Sequence, residues 1–138
     1  MKRSHFLRIS SFLMMLTSLA RFFFGFAMIN LFATARNMGT SDPQTLKTAG
    51  AAFAVLLLGA VTDLICGFVG ALNWEEPLHA VRCSAWGAAA LLLGVAGNLF
   101  QSLTGYGVSP VAWTTGAVMP AVFLAAALRF TRGTNTRR

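Results

Sequence analysis

Four long apolar stretches limit what this chain can fold into. Three of them, residues 48–72, 78–103 and 109–128, each reach the roughly 20 residues that an α-helix needs to cross a bilayer. The fourth, residues 9–35, is long enough only if Arg21 is counted within it. Charged residues make up 11% of the 138-residue chain, against roughly 25% in soluble domains, so lipid is the expected solvent. The sequence predicts an all-α membrane protein with four transmembrane helices in a single domain.

The N-terminal stretch has a second interpretation. Residues 1–20 begin with basic residues, continue with an apolar core and end in Ser18-Leu19-Ala20, a pattern typical of a cleaved signal peptide. Cleavage would make Arg21 the new N-terminus and leave residues 22–35 too short to span. An interfacial helix that ends at Arg21 would leave the same short remainder. An uncleaved helix uses both halves and is the interpretation that we favour.

The connections between the four stretches are short, which favours an antiparallel up-down-up-down bundle. Basic residues near the helix ends indicate its orientation. Those at the two ends of the chain and at the second connection are Lys2, Arg3, Arg8, Arg82, Arg129, Arg132, Arg137 and Arg138. The first connection has Arg36 and Lys47, and the third has no charge. This distribution predicts that both termini, including the basic tail at 129–138, are cytoplasmic.

The net charge of +7 would suggest a nucleic-acid partner in a soluble protein. Here the basic residues flank membrane spans, where they set the topology and attract anionic lipid. We therefore expect the lipid bilayer as a partner, with self-association or a larger membrane complex as further options, and no nucleic acid.

Small residues recur at helical spacing within the spans. Residues three or four apart share a helix face, and small side chains there let helices approach closely in lipid. The recurring glycines are Gly25, Gly59, Gly67, Gly70, Gly87, Gly94 and Gly97. Their faces are expected to pack against other helices. Pro120, in the middle of the fourth span, predicts a kink.

Polar residues fall on these same faces. Arg21 shares a face with Gly25, and Asp63 lies on the glycine face of the second span. Counting 1.5 Å per residue from the span centres places Arg21 near the midplane and Asp63 about 4–5 Å to its cytoplasmic side. A lone Arg or Asp at that depth costs roughly 2.5–3.5 kcal/mol on insertion scales, so pairing is favoured. We predict an Arg21–Asp63 ion pair between neighbouring helices, with Asn98 and Gln101 as further inward polar residues.

Three residues have metal-ligand character. His79 and Cys83 are four residues apart and Cys66 could lie at similar depth, but one His and two Cys without repeated spacing form a weak pattern. Buried cysteines and an interfacial histidine are the simpler interpretation, and a cytoplasmic location disfavours a disulfide. No nucleophile–base set or phosphate-binding motif is present. We expect no metal, no cofactor and no enzymatic activity.

The C-terminal part of the sequence has a recognisable pattern. The segments GFVGALNWEEPLHAVRCSAWGAAALLLG (67–94) and VMPAVFLAAALRFTRG (118–133) combine spaced glycines, a short polar turn, a cysteine, and a proline before a basic tail. The residues that carry the pattern are Gly67, Gly70, Pro77, Ala80, Cys83 and Gly87. Over residues 59–130 the chain resembles small four-span membrane proteins of Gram-positive bacteria that have no assigned function. The resemblance implies a four-span fold in a bacterial inner (cytoplasmic) membrane.

These observations favour a non-enzymatic multi-pass membrane protein with a structural or accessory role, packed through its glycine faces and the ion pair. The alternative is a small proton- or ion-coupled transporter or channel that uses the Asp63 region, since an intramembrane carboxylate often marks an ion path. A metal- or haem-binding redox subunit is a third, weaker option. A polar, water-accessible path would distinguish a transporter from a dry, packed bundle.

Overall fold

The computed structural model describes residues 5–39, 42–76, 79–103, 108 and 110–135. Its elements are the helices α1 (His5–Asn37), α2 (Pro43–Leu72) and α3 (Ala80–Leu103), followed by α4 (Pro110–Trp113), a π-helical turn (Thr114–Val118) and α5 (Met119–Asn135). The last three elements form one continuous span. Among the described residues, four helices are long and apolar enough to cross a membrane. The predicted all-α antiparallel bundle of four helices is confirmed.

The helix ends follow from local backbone chemistry. After α1, Gly39 has a φ of 64°, the left-handed conformation that glycine adopts most easily. Asp42 precedes α2 in an extended conformation, and Pro43 takes the first helical position, where its missing N–H costs nothing. At the far end of α2, both the backbone and the side-chain amide of Asn73 donate to the carbonyl of Val69. Pro77, predicted near the start of the third span, lies outside the described residues.

One end of the bundle is tightly packed. Its buried side chains come from all four spans: Leu7, Met14, Cys66, Cys83, Ala90, Phe123, Ala126 and Ala127. We call this end the closed half, meaning residues 7–18, 59–72, 80–90 and 123–130. The connection between α2 and α3 packs onto it, because the Trp74 ring lies 4.8 Å from the guanidinium carbon of Arg8. Under the predicted topology, the closed half is the cytoplasmic half.

The other end of the bundle is looser, and we call it the open half: residues 21–37, 43–58, 94–103 and 110–118. In α1, large aromatic side chains from Phe22 to Phe26 are exposed, as expected for a surface in contact with lipid. α1 packs closely against α2 along its length and against α5, yet it scarcely contacts the segment Pro110–Val118, which leans on α3 instead. The described spans therefore leave a lateral gap between α1 and the first part of the fourth span.

The fourth span changes its hydrogen-bond pattern just before Pro120. The N–H of Met119 donates to the carbonyl of Thr114, five residues earlier, which is the π-helical register. Pro120 has no N–H, so the carbonyl of Gly116, four residues earlier, has no α-helical donor. The helix is therefore distorted by a π turn next to Pro120, where the sequence predicts a kink, and the carbonyl of Gly116 lies against α3 at Gly94.

The first helix is unusually long for a membrane span. With 33 residues, α1 extends for about 50 Å at 1.5 Å per residue. The hydrocarbon core of a bilayer is roughly 30 Å thick. Because α1 continues without a break through Arg21, the uncleaved chain uses both halves of the N-terminal stretch in one helix.

Candidate functional site

The predicted ion pair is present between α1 and α2. Nη1 of Arg21 donates to Oδ2 of Asp63 at 2.5 Å, and the two side chains are 15% and 5% exposed. Gly59, one turn before Asp63, leaves room for the guanidinium: an added Cβ there would lie 3.4 Å from Nη2 of Arg21. The arginine thus rests on the glycine face of α2. A charge pair held in this way keeps both ions from facing hydrocarbon alone.

Within the described part of the chain, one of the two carboxylate oxygens of Asp63 accepts a hydrogen bond and the other does not. Oδ1 is buried and has no hydrogen-bond partner among the described residues. A buried acceptor without a partner costs about 1–3 kcal/mol, so native structures rarely retain one without a reason. The pair therefore joins two helices while leaving Asp63 incompletely satisfied.

Ser18 reinforces the contact between α1 and α2 beside the ion pair. Its hydroxyl donates to the carbonyl of Ala60, in a short hydrogen bond between the two helices. Ser18 lies three residues before Arg21 and Ala60 three before Asp63, so the two interactions occupy the same interface. Ser18 shares a helix face with Arg21, but its partner could not be predicted, because any residue type supplies a backbone carbonyl.

A cavity of about 650 Å³ lies in the open half, lined by all four spans. Its polar lining residues are Thr17, Arg21, Asn98, Gln101 and Thr115. Three aromatic side chains of α1 and α2 form much of the remaining wall: Phe24, Phe32 and Phe53. Pockets that bind small molecules usually measure about 300–1,000 Å³ and combine an apolar wall with a few polar groups. The cavity has the size and composition of such a pocket.

Arg21 belongs both to the cavity wall and to the ion pair. It lines the cavity, whereas its partner Asp63 is not among the lining residues and is only 3% exposed as a whole residue. Asn98 and Gln101, predicted as inward polar residues, both line the cavity, and the Asn98 amide donates to the carbonyl of Ala112 at 3.2 Å. The charged, amide and hydroxyl groups thus meet at one place inside the bundle.

The seven glycines singled out in the sequence all face neighbouring helices. At each of them, an added Cβ would lie within 3.4 Å of an atom on another span. At Gly67 it would lie 2.8 Å from the carbonyl oxygen of Ser11, and at Gly70 it would overlap Ser11 and Phe123. At Gly94 it would overlap the backbone carbonyl of Gly116, so two helices meet there without side chains between them. Gly25, Gly59, Gly87 and Gly97 contact side chains of the adjacent spans.

The three residues with metal-ligand character do not form a common site. Cys66 and Cys83 are buried in the closed half as free thiols, and Cys83 contacts the carbonyl of Val69. His79 precedes α3, is exposed, and pairs with Glu76 at 2.5 Å between Nδ1 and Oε2. Within the described part of the chain, no group of three His, Cys, Asp or Glu side chains could hold a metal ion.

The two cysteines report directly on whether the closed half is dry. Because both have 0% exposure, we expect neither to react with a water-soluble maleimide in the folded protein. Both should react once the chain is unfolded in SDS, as measured by the mass of the labelled protein. Rapid labelling of Cys66 in the folded state would contradict the closed packing.

Two features of the site were not found from the sequence. The cavity was missed because it depends on how the spans lean relative to one another. The contact of Gly116 with Gly94 was missed although a signal existed: residue 116 is four before Pro120, so its carbonyl was bound to lose an α-helical donor.

No protein-family model matches the chain, and no curated protein or solved structure shows significant similarity to it.

Proposed function

We propose that this chain is a non-enzymatic multi-pass protein of a bacterial cytoplasmic membrane that holds a small molecule inside its four-helix bundle. The observation that carries the proposal is the cavity of about 650 Å³, which is lined by Arg21 and by other side chains from all four spans. The closed half supplies the structural part of this role, because its buried core and glycine contacts fix the helices around the cavity. This is an accessory function, in which binding rather than chemistry is the task.

The distribution of titratable groups supports a binding role over catalysis. All four acidic residues are described, and Asp63 is the one that is buried. Its carboxylate is bonded to Arg21, and the described residues that line the cavity include no carboxylate or imidazole to act as a base. The basic residues at both ends of the chain support cytoplasmic termini by the positive-inside rule.

Blocking the cavity tests the proposal. Ala52 of α2 lines the cavity, whereas Ala54 faces outward on the same helix. We expect native mass spectrometry of the protein, extracted gently from its own membrane, to show a bound molecule. Ala52→Trp should reduce its occupancy at least about tenfold, a difference of roughly 1.4 kcal/mol in binding, because the indole projects into the cavity and takes up part of its volume.

Ala54→Trp is the matched control, since it adds the same side chain to the same helix at nearly the same depth. It should retain the bound molecule. Equal occupancy in the two variants, or an empty wild-type protein, would count against a binding function.

Transport is the second candidate, favoured by the ion pair that joins Asp63 to the cavity-lining Arg21. Asp63 has one oxygen with no partner among the described residues, and an intramembrane carboxylate often marks an ion path. Transport would require the closed half to open during the cycle. Cys66 would then become reactive when substrate is added, whereas a binding protein would keep it protected.

A further inference from the structure

The lateral gap gives the cavity an opening between two spans. Phe24 of α1 and Val111 and Thr115 of the fourth span all line the cavity. Among the described residues, α1 and Pro110–Val118 have little direct contact, so the cavity is not sealed along this side. Both elements belong to helices that are long and apolar enough to cross a membrane. A gap between two such helices faces lipid chains, so a molecule can reach the cavity from within the bilayer.

The charge of the cavity limits the kind of molecule that fits. Arg21 is the one charged residue among the described residues that line it, and Asp63 already compensates that charge at 2.5 Å. An anionic head group would leave one uncompensated negative charge in a region of low dielectric. A cationic head group would likewise leave one uncompensated positive charge there. Buried unpaired charges are expensive, so an uncharged head group is favoured.

The polar groups of the cavity specify the head group further. A guanidinium has five N–H donors, and the hydrogen bond to Asp63 uses one of them. The hydroxyls of Thr17 and Thr115 donate to carbonyls within their own helices. The other N–H groups of Arg21 are donors that can meet a ligand at this end, and they match ester, carbonyl or hydroxyl oxygens.

We infer that the cavity binds an uncharged lipid of the acylglycerol type, which enters through the gap between α1 and Pro110–Val118. Its ester and hydroxyl oxygens accept hydrogen bonds from Arg21, and its chain lies along the phenylalanine wall and out through the gap. This inference rests on the proposed binding function and adds the class of ligand.

Three probes with the same C18 chain test the head-group preference: mono-oleoylglycerol, oleate and oleylamine. Each is titrated into the delipidated full-length protein in detergent, and bound molecules are counted by native mass spectrometry. We expect mono-oleoylglycerol to bind at least about tenfold more tightly than either charged probe. Equal binding of oleate would overturn the inference.

Asp63→Asn provides a sharper test because it keeps the size of the side chain and removes its charge. Arg21 is then uncompensated, so oleate should bind at least as tightly as mono-oleoylglycerol. An unchanged preference in a folded Asp63→Asn protein would contradict contact between the head group and Arg21. If this variant does not fold, Ala52→Trp and its control Ala54→Trp still decide the matter, since only the first should lose mono-oleoylglycerol.

The outcomes for the ligand class and for the binding function can be separated. Suppose that Ala52→Trp loses the native molecule, but the wild type binds oleate and mono-oleoylglycerol equally. This result would refute the proposed ligand class and would still support the binding function. If neither a native molecule nor any probe depends on Ala52, both proposals fail.

Discussion

Arg21→Leu is expected to lower the free energy of unfolding by about 3–5 kcal/mol, the usual cost of breaking a buried ion pair by removing one partner. The reason is the position of Asp63, which is 3% exposed and, among the described residues, has a hydrogen-bond partner for only one carboxylate oxygen even in the wild type. Without the guanidinium, a bare carboxylate would lie between α1 and α2. Reversible unfolding in mixtures of mild detergent and SDS measures the change.

Asp63→Leu should destabilise less, because Arg21 borders the cavity and can turn its charge toward that space. The double variant Arg21→Leu/Asp63→Leu should recover most of the lost stability, since replacing both members of a buried pair with apolar residues is often neutral. A double variant that is as unstable as the sum of the two single changes would show that the residues act independently. Wild-type behaviour of either single variant would show that the pair contributes little.

Gly94→Ala is expected to cost about 3 kcal/mol, at the upper end of the range for overpacking. The added Cβ would overlap the carbonyl group of Gly116. The position of a Cβ is fixed by its own backbone, and the carbonyl is part of the backbone, so no change of side-chain rotamer can relieve the overlap. The backbones of α3 and the π turn must therefore move apart. The same unfolding measurement detects the loss.

Gly50→Ala is the matched control for this prediction. An added Cβ at Gly50 has no neighbour within 4 Å, so the stability should stay the same or rise slightly through the better helix propensity of alanine. A Gly94→Ala protein as stable as Gly50→Ala would show that α3 and the π turn are not in close contact.

Much of this architecture could be predicted because membrane insertion uses simple physical rules. Length and hydropathy identify four spans. The spacing of Arg21, Asp63 and the glycines identifies the inward faces, because charged side chains that face lipid are unfavourable and small residues favour helix packing. The pair itself followed from counting residues along two antiparallel helices. Such inferences need only the 1.5 Å rise and the helical repeat.

The cavity could not be predicted in this way. Its walls consist of ordinary span residues, such as Phe32 and Ala52, whose sequence environment resembles that of lipid-facing positions. What creates the space is the separation between α1 and Pro110–Val118, a property of how whole helices lean. Hydropathy measures how favourably each helix transfers into lipid, and it contains no information about the separation between helices.

The length of α1 makes the cavity sensitive to the membrane around it. The apolar stretch at residues 9–35 extends for about 40 Å, longer than a typical hydrocarbon core of roughly 30 Å. Such a hydrophobic mismatch is relieved by tilting the helix or by thickening the bilayer near it. Because α1 is held against α5 in the closed half, a change in its tilt mainly displaces its other end, which borders the gap. The tilt of α1 depends on membrane thickness, so membrane thickness acts on the width of the opening to the interior.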